Sequence, residues 1–451
     1  MDIKNKATEI KLFSLKTVQM RTFHTTWFAF FLAFFGWFGI APLMAIVRED
    51  LMLTKAQVGN TIIASVAITV LVRVLIGPLC DRIGSRKAYT WLLILGSIPV
   101  MGIGLAQDYK TFLLFRLAIG AIGASFVITQ YHTSVMFAPN CVGTANATTA
   151  GWGNLGGGVT QMVMPLIFMA ILSFGVNEFL SWRLAMIVPG IALFVMGFVY
   201  YFTTQDAPDG DYKELRERGD LEPAKGKGME SLMLAIKDYR VWALFFIYAA
   251  CFGVELTINN IAALYYHDRF QLDVQTAGLI AGLFGLMNIF ARTVGGVFSD
   301  FFAKNMGLRG RVLFLFIVLL GEGIMLMLFS QMAVLVIAVG TMIVFSLFVQ
   351  MSEGATFGIV PFINRKALGA VAGIVGAGGN AGAVAAGFLF RAESITTQQA
   401  LLFVGGMVVV ASFATALVRF SPAVQDAEKR AFDAALAEKQ RLKAEAGNVP
   451  V

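Results

Sequence analysis

Apolar stretches of twenty residues or more recur along the whole chain, and they constrain its fold more than any other feature. Crossing the hydrocarbon core of a bilayer takes roughly 20 apolar residues in a helix. Hydrophobic residues make up 57% of the chain and charged residues only 14%, against roughly 25% charged residues in a soluble domain. Only helices and closed barrels satisfy their backbone hydrogen bonds in lipid. Because the runs are continuous rather than alternating, they predict an all-α membrane protein.

The sequence predicts twelve membrane-crossing helices in two sets of six. The helices are predicted at 26–48, 55–80, 88–106, 110–137, 142–173, 181–203, 240–266, 273–300, 310–330, 333–360, 367–391 and 396–420. The longest polar break separates the sixth helix from the seventh. The predicted domains are a tail at 1–25, a bundle at 26–203, a linker at 204–239, a bundle at 240–420 and a charged tail at 421–451.

The basic residues are distributed unevenly around the predicted helices. Most of the 35 lysines and arginines lie on the side that carries both tails, the linker and the loop with Arg82, Arg86 and Lys87. Cytoplasmic loops of membrane proteins are enriched in Lys and Arg. We therefore expect both termini to be cytoplasmic, in a multi-pass protein of the plasma (inner) membrane. The net charge of +7 reflects this topology and does not indicate a nucleic-acid partner.

The two halves share an R-x3-G-x3-D pattern in their second helices, 2 and 8. It reads RVLIGPLCD from Arg73 and RTVGGVFSD from Arg292. The glycines and acids of the pattern are Gly77, Asp81, Gly296 and Asp300. An arginine near a helix end can extend to the interface, but a charge at the bilayer centre costs about 2.5–3.5 kcal/mol. Two deep arginines at matching positions predict an anion site between the halves, since guanidinium offers a planar fork of donors.

A second repeat is rich in glycine and contains Gly-Asn-x-Gly in helices 5 and 11. Close helix packing explains the glycines, because small residues let helices approach in membranes. Asn154 and Asn380 need polar partners in an apolar helix. Two roles stay open for them: contact with a ligand and hydrogen bonding between helices.

Two segments resemble the major facilitator superfamily. GPLCDRIGSRK at 77–87 is similar to that superfamily's G-x3-D-R-x-G-R-R loop motif, with Ser85 where an arginine is common. RLAIG at 116–120 resembles its R-x3-G motif of the fourth helix. The resemblance implies the twelve-helix fold of that superfamily and a loop motif built on Gly77, Asp81 and Arg82, but it does not indicate a substrate.

Four further segments resemble the nitrate/nitrite porter family of that superfamily. AGWGNLGGGVTQMVMP at 150–165 and GIVGAGGNAG at 373–382 are similar to its paired nitrate signatures. The segments at 252–270 and 351–369 resemble its high-affinity nitrate transporter branch. The likeness runs from about residue 25 to residue 420.

This resemblance implies roles for individual residues. Arg73 and Arg292 would clamp the anion, and aromatic rings would hold its flat faces. The matching aromatic positions are Phe126, Tyr248 and Phe252. The two signatures would line the path, and their candidate residues are Gly151, Asn154, Gly378 and Asn380.

The expected activity is secondary active transport of nitrate, and of nitrite as well, by alternating access. Two arginines would repel each other in the empty site, and the anion would relieve that repulsion. Buried acids can carry protons, and Glu255 is the first candidate for proton coupling; Glu322, Glu353 and His132 are the others. The branch resemblance favours proton symport, with nitrate/nitrite exchange and transport of another small anion as alternatives.

Other classes of protein fit the sequence less well. An enzyme would need a nucleophile, metal cluster or cofactor motif, and none is evident. Cys80, Cys141 and Cys251 have neither metal spacing nor a disulfide framework. A sensor would carry a larger cytoplasmic signalling domain. We therefore expect a carrier that works as a monomer in the bilayer, with protons and small anions as partners and without a cofactor.

Overall fold

The computed structural model describes residues 5–137, 142–220, 227–364, 367–427 and 429–430. In these ranges twelve helices are long and apolar enough to cross a membrane, which confirms the predicted all-α fold. They are α1 Val18–Asp50, α2 Lys55–Ile83, α3 Ser85–Leu105, α4 Tyr109–Met136, α5 Val142–Ser173, α6 Glu178–Thr203, α7 Tyr239–Phe270, α8 Val274–Met306, α9 Leu308–Gln331, α10 Leu335–Phe357, α11 Leu368–Arg391 and α12 Thr397–Leu417. We call α1–α6 the first half and α7–α12 the second half.

Helix α1 begins earlier than the sequence predicts, at Val18 rather than at residue 26. The Thr17 side chain accepts a hydrogen bond from the backbone N–H of Met20, which satisfies an end group that would otherwise lack a partner. Met20 and Phe23 are buried in a small apolar cluster with Phe137. The first turns of α1 are therefore held by packing that the polar tail sequence does not reveal.

The linker contains two short helices, Tyr212–Glu217 and Lys227–Lys237, and it is fixed to the first half at Asp206. The Asp206 carboxylate accepts hydrogen bonds from the backbone N–H groups of Arg86, at 2.8 Å, and Tyr212, at 3.1 Å. Burial raises the pKa of the Asp206 carboxyl above its ordinary value. Gly84 has a φ of +88° and passes so close to this carboxyl group that a Cβ atom would overlap it.

Both ends of the described chain lie at one end of the bundle. Asn5 bonds to Asp209 of the linker, and Phe420 packs against the guanidinium of Arg240, just after the linker. We call this end the terminal face and the other end the opposite face. The loops that follow α1, α7 and α11 lie at the opposite face.

The two halves are closed against each other toward the opposite face. A Cβ atom at Gly59 of α2 would lie 2.4 Å from the Cα atom of Arg391 in α11. On the other side of the bundle, a Cβ atom at Gly285 of α8 would lie 2.3 Å from the Cα atom of Gly158 in α5. The side chains of Arg48 and Asp268 also join the halves there through two hydrogen bonds of 2.6 and 2.8 Å.

Two glycines on the terminal side of the repeat arginines have open space beside them. Gly77 and Gly296 each lie one turn beyond an arginine of the repeat, on the same helix face. A Cβ atom at either glycine would meet no heavy atom within 4 Å among the described residues. The level of Arg73 and Arg292 therefore marks the change from tight to open packing.

Two helices change to 3-10 geometry at the depth of these arginines. In α4 the 3-10 turn Ala121–Ala124 lies immediately before Ser125 and Phe126. In α8 the turn Met287–Ile289 lies just before Arg292 and contains the buried Asn288. Such changes within a helix often mark functional positions.

Candidate functional site

Arg73 of α2 is buried between the halves and touches both of them. Its Nε and Nη2 atoms donate to the carbonyl oxygen of Gly123 in α4, at 3.3 and 3.1 Å. Its Nη1 atom donates to the carbonyl oxygen of Gly376 in α11, at 3.1 Å. No carboxylate forms an ion pair with Arg73 in the part of the chain that the structure describes. The site therefore holds a positive charge that backbone carbonyls orient but do not neutralise.

Aromatic rings from both halves surround the Arg73 guanidinium. Its Cζ atom lies 5.2 Å from the ring centre of Phe126 and 5.7 Å from that of Phe252. Phe252 stacks on Tyr248 with ring centres 5.2 Å apart. Phe357 of α10 sets its ring at a steep angle to both Tyr248 and Phe126. These rings form one continuous aromatic group, in which Phe357 is an additional member that the sequence analysis did not identify.

Arg292 of α8 occupies the matching position in the second half but has a partner of opposite charge. Its Nη1 atom lies 2.6 Å from a carboxylate oxygen of Glu353 in α10, and both side chains are buried. Its Nη2 atom donates to the Tyr248 hydroxyl at 2.9 Å. The predicted repulsion between two free arginines is therefore wrong for this conformation, because the ion pair neutralises Arg292. The sequence could not reveal this partner, since Glu353 lies on another helix.

Glu255 of α7 lies beside this ion pair and connects the halves. It accepts a hydrogen bond of 3.2 Å from Asn154 in the first half and one of 2.8 Å from Asn288 in the second. Its carboxyl group is close enough to that of Glu353 for their charges to interact, although no hydrogen bond joins the two acids. Of the two roles left open for Asn154, ligand contact and hydrogen bonding between helices, the structure shows the second. Asn288 is not among the residues predicted from the sequence, although, like Asn154 and Asn380, it is an amide in an apolar helix.

The glycine-rich segments bring helices into close contact. A Cβ atom at Gly378 would lie 2.3 Å from the carbonyl oxygen of Phe245 in α7, and one at Gly151 would lie 3.0 Å from that of Asn288 in α8. Asn380 is fully buried, and neither polar atom of its side chain has a hydrogen-bond partner among the described residues. The glycines therefore act through packing, whereas Asn380 keeps an unused donor and acceptor.

The loop-motif residues lie away from the arginines, toward the terminal face. The backbone carbonyl of Arg82 accepts a hydrogen bond from Arg216 of the linker at 2.7 Å. Asp300 pairs with Arg311 of α9 at 2.5 Å, within the second half. The side chain of Asp81 lies outside the described part of the structure.

The remaining candidates lie outside the central group. His132 bonds to the Tyr200 hydroxyl of α6 at 2.6 Å and to the Gln205 carbonyl of the linker at 2.8 Å. Glu322 is fully buried in α9, beside Ser352 of α10. Cys80 and Cys251 are buried, while Cys141 falls outside the described residues. Within those residues no group of His, Cys, Asp and Glu has the arrangement of a metal site.

Comparison with known sequences gives a consistent result. Residues 26–363 match the family model described as Major Facilitator Superfamily. The chain is 41% identical to the high affinity nitrate transporter 2.5 of Arabidopsis thaliana, over 93% of this chain and 84% of that protein. It is 38% identical to the high-affinity nitrate transporter 2.3 of Oryza sativa subsp. japonica, over 93% and 81%. It is 32% identical to the nitrate/nitrite transporter NrtP of Picosynechococcus sp., over 80% and 83%.

Solved structures share the fold at low sequence identity. A bacterial homolog of the human lysosomal transporter Spinster, in an inward-facing and occupied conformation, has a TM-score of 0.68 and 15% identity, covering 91% of this chain and all of that one. A mutant form of the nucleoside transporter NupG has a TM-score of 0.63 and 18% identity, over 88% and 100%. At these identities the likeness establishes the architecture alone.

Proposed function

The chain belongs to the major facilitator superfamily and to the nitrate/nitrite porter family within it, and on this premise we propose that it carries nitrate, and nitrite as a second substrate, across a membrane. It is a transporter and not an enzyme. The proposal depends above all on one observation, the buried Arg73 that has three carbonyl contacts and no acidic partner among the described residues. A buried cation of this kind is favourable where an anion completes its surroundings.

The shape of the group around Arg73 suits a flat oxyanion. The guanidinium is planar, and its hydrogen-bond donors lie in its plane. Phe126 and Phe252 lie against it from different halves. We propose that nitrate lies between these rings, with its oxygen atoms toward Arg73 and Arg292. Asn154, Asn380, Gly151 and Gly378 then shape the path around this position.

The charges of the central group suggest a role for a proton. Arg73 and Arg292 balance Glu255 and Glu353 when both acids are ionised. A bound nitrate adds one negative charge, and one proton on the pair of acids restores the balance. Protonation of Glu353 would also release Arg292 from its 2.6 Å ion pair. We propose that this shared proton couples uptake to a proton gradient, with Glu255 and Glu353 acting as one unit.

Transport itself requires two conformations of the same halves. In the present one, Gly59 and Gly285 are packed tightly toward the opposite face, and the substrate would enter or leave at the terminal face. We propose that bundles 26–203 and 240–420 rock about the central group, with Gly77, Asp81, Arg82, Gly296 and Asp300 near the terminal-face gate. The terminal face is cytoplasmic in this proposal, the membrane is the plasma (inner) membrane, and the chain works as a monomer.

Exchange of nitrate for nitrite is the rival mode of transport. The name of the relative NrtP includes nitrite, and an exchanger would need no proton. Uptake of labelled nitrate into vesicles that contain the purified chain separates these modes. Proton symport predicts that an imposed pH gradient stimulates uptake without internal anion, whereas exchange requires nitrite inside. Absence of nitrate uptake under both conditions would contradict the proposed function.

A further inference from the structure

Arg116 of α4 is a third buried arginine, and the central group does not include it. Its side chain is 1% exposed. It lies seven residues after Tyr109, where α4 begins at the opposite face, and ten residues before Phe126. At 1.5 Å per residue, Arg116 is about 15 Å from the level of Phe126, toward the opposite face. It is therefore on the closed side of the carrier.

The donors of Arg116 are largely unused. Its Nη2 atom donates to the side-chain oxygen of Asn260 in α7 at 2.7 Å. Its Nε and Nη1 atoms are buried and have no hydrogen-bond partner among the described residues. The same residues offer it no carboxylate at ion-pair distance. A buried charged group with unsatisfied donors is costly, and in a membrane segment it commonly marks the route of a substrate or an ion.

Close packing between α2 and α4 holds Arg116 in this position. A Cβ atom at Gly120, one turn after Arg116, would lie 2.5 Å from the carbonyl oxygen of Ser65. The Thr69 hydroxyl donates to the carbonyl oxygen of Gly120 at 2.6 Å. The Ser65 hydroxyl reaches the same oxygen of Asn260 that Arg116 does, at 3.4 Å. The two helices therefore present Arg116 and Ser65 together to α7.

The surroundings of Arg116 and of the central group lie on common helix faces. On α2, Ser65, Thr69 and Arg73 follow one another at intervals of four residues, and all three are buried. On α7, Phe252 and Asn260 are eight residues apart. Eight residues place side chains on the same face about 12 Å apart. One face of α2 and one face of α7 therefore run from the surroundings of Arg116 to the central group around Arg73.

The contact between Arg116 and Asn260 joins the first half to the second. When the halves separate toward the opposite face, this contact must break. Its loss would leave the guanidinium without a hydrogen-bond partner among the described residues, at the mouth of the newly opened path. We propose that Arg116 is a second binding site for a small oxyanion, which is filled from the opposite face and passes the anion about 12 Å along α2 to Arg73. This inference rests on the proposed transport of nitrate.

A purely structural role for Arg116, as a strut between the halves, makes different predictions. A strut needs a hydrogen-bond donor toward Asn260, which glutamine can supply. An anion site needs the positive charge, which lysine supplies and glutamine does not. Removal of the Asn260 side chain breaks the contact between the halves but leaves the Arg116 guanidinium available to an anion. Variants at these two positions therefore separate the two roles.

The test is the KM for labelled nitrate supplied at the opposite face of cells or oriented vesicles that contain the full chain. Arg116→Gln should raise this KM about tenfold, because one hydrogen bond to a charged group is worth about the 1.4 kcal/mol that a tenfold change represents. Arg116→Lys should recover most of that loss. Asn260→Ala should lower the KM, since it frees the guanidinium. Lys110→Gln, at an exposed position of the same helix, is the control for loss of charge alone.

Two results would overturn the inference. One is an unchanged KM in Arg116→Gln together with a lower maximal rate. The other is a rise in KM for Asn260→Ala as large as that for Arg116→Gln. If Arg116→Gln does not reach the membrane, Asn260→Ala still separates the two roles, because an anion site predicts a lower KM in this variant and a strut does not. A wild-type chain that takes up no nitrate would show that the proposed function itself has failed, whatever the ratios between variants.

Discussion

Arg73 and Arg292 occupy matching positions on α2 and α8, yet their electrostatic surroundings differ. Arg73 contacts carbonyl oxygens and aromatic rings, whereas Arg292 lies 2.6 Å from the Glu353 carboxylate. Arg73 is therefore a permanent positive charge. The charge of Arg292 is neutralised by Glu353, and protonation of Glu353 would end this neutralisation. In the proposed mechanism this difference assigns anion binding to Arg73 and proton coupling to the pair of Arg292 and Glu353.

Replacement of Glu353 by Gln should uncouple transport from protons. Glutamine resembles the protonated acid, so Arg292 is released from its ion pair at every pH. We expect nitrate exchange to lose its dependence on pH and accumulation driven by a pH gradient to disappear. Glu178→Gln, at an exposed position of α6, is the control for loss of an acid elsewhere. Wild-type pH dependence in Glu353→Gln would exclude the proposed coupling.

Replacement of Arg73 by Lys should weaken nitrate uptake strongly, although it retains the charge. Lysine lacks the planar fork that reaches two carbonyl oxygens of different halves. We expect the KM for nitrate to rise roughly tenfold or more, as measured by initial rates of labelled uptake, and Arg292→Lys to behave similarly. Arg419→Lys, at an exposed position after α12, should retain the wild-type KM. Equal uptake by all of these variants would contradict an arginine clamp.

Replacement of Tyr248 by Phe tests the hydroxyl that Arg292 contacts at 2.9 Å. The ring that stacks on Phe252 remains, so only one hydrogen bond is lost. A typical hydrogen bond contributes about 0.5–1.5 kcal/mol, which predicts roughly a twofold to twelvefold rise in the KM for nitrate. Tyr266→Phe removes a buried hydroxyl elsewhere on α7 and should leave the KM unchanged. A larger effect at Tyr266 would indicate general loss of packing instead.

Replacement of Gly59 by Ala should hinder closure toward the opposite face. The added methyl group would lie 2.4 Å from the backbone of Arg391, and overpacking of this kind costs about 1–3 kcal/mol. We expect a cysteine introduced at Ile63, in the same interface, to react faster with an impermeant thiol reagent supplied at that face. Gly406→Ala, where a methyl group meets no described atom within 4 Å, should leave the reaction rate unchanged. The same rate in both variants would argue against a closed interface here.

The sequence predicts the helices well because lipid imposes a simple requirement on them. An apolar run of about 20 residues must form a membrane helix, and residues 142–173 were predicted with the same bounds as α5. The start of α1 was missed because residues 18–25 are held by a capping bond and by contacts with Phe137. Those contacts join segments far apart in the chain.

The site could be predicted from the sequence only as far as each helix carries its own signal. Arg73 and Arg292 can be predicted as site residues because an arginine in an apolar helix is conspicuous and the same pattern occurs in both halves. The pairing of Arg292 with Glu353 depends on how α8 and α10 pack, which no spacing along one helix reports. Phe357 was missed because the chain has 40 phenylalanines, and packing in the core is their common role.

The ion pair between Arg48 and Asp268 should make the conformation of the protein depend on the salt concentration of the medium. Both side chains are partly exposed, at 31% and 43%, and the pair joins the halves at the opposite face. Exposed pairs contribute about 0.2–1 kcal/mol, and dissolved ions weaken them because the Debye length is only about 8 Å at physiological ionic strength. High salt on that side should therefore favour opening toward it. The salinity of the surroundings would then help to set how often the carrier opens toward the opposite face.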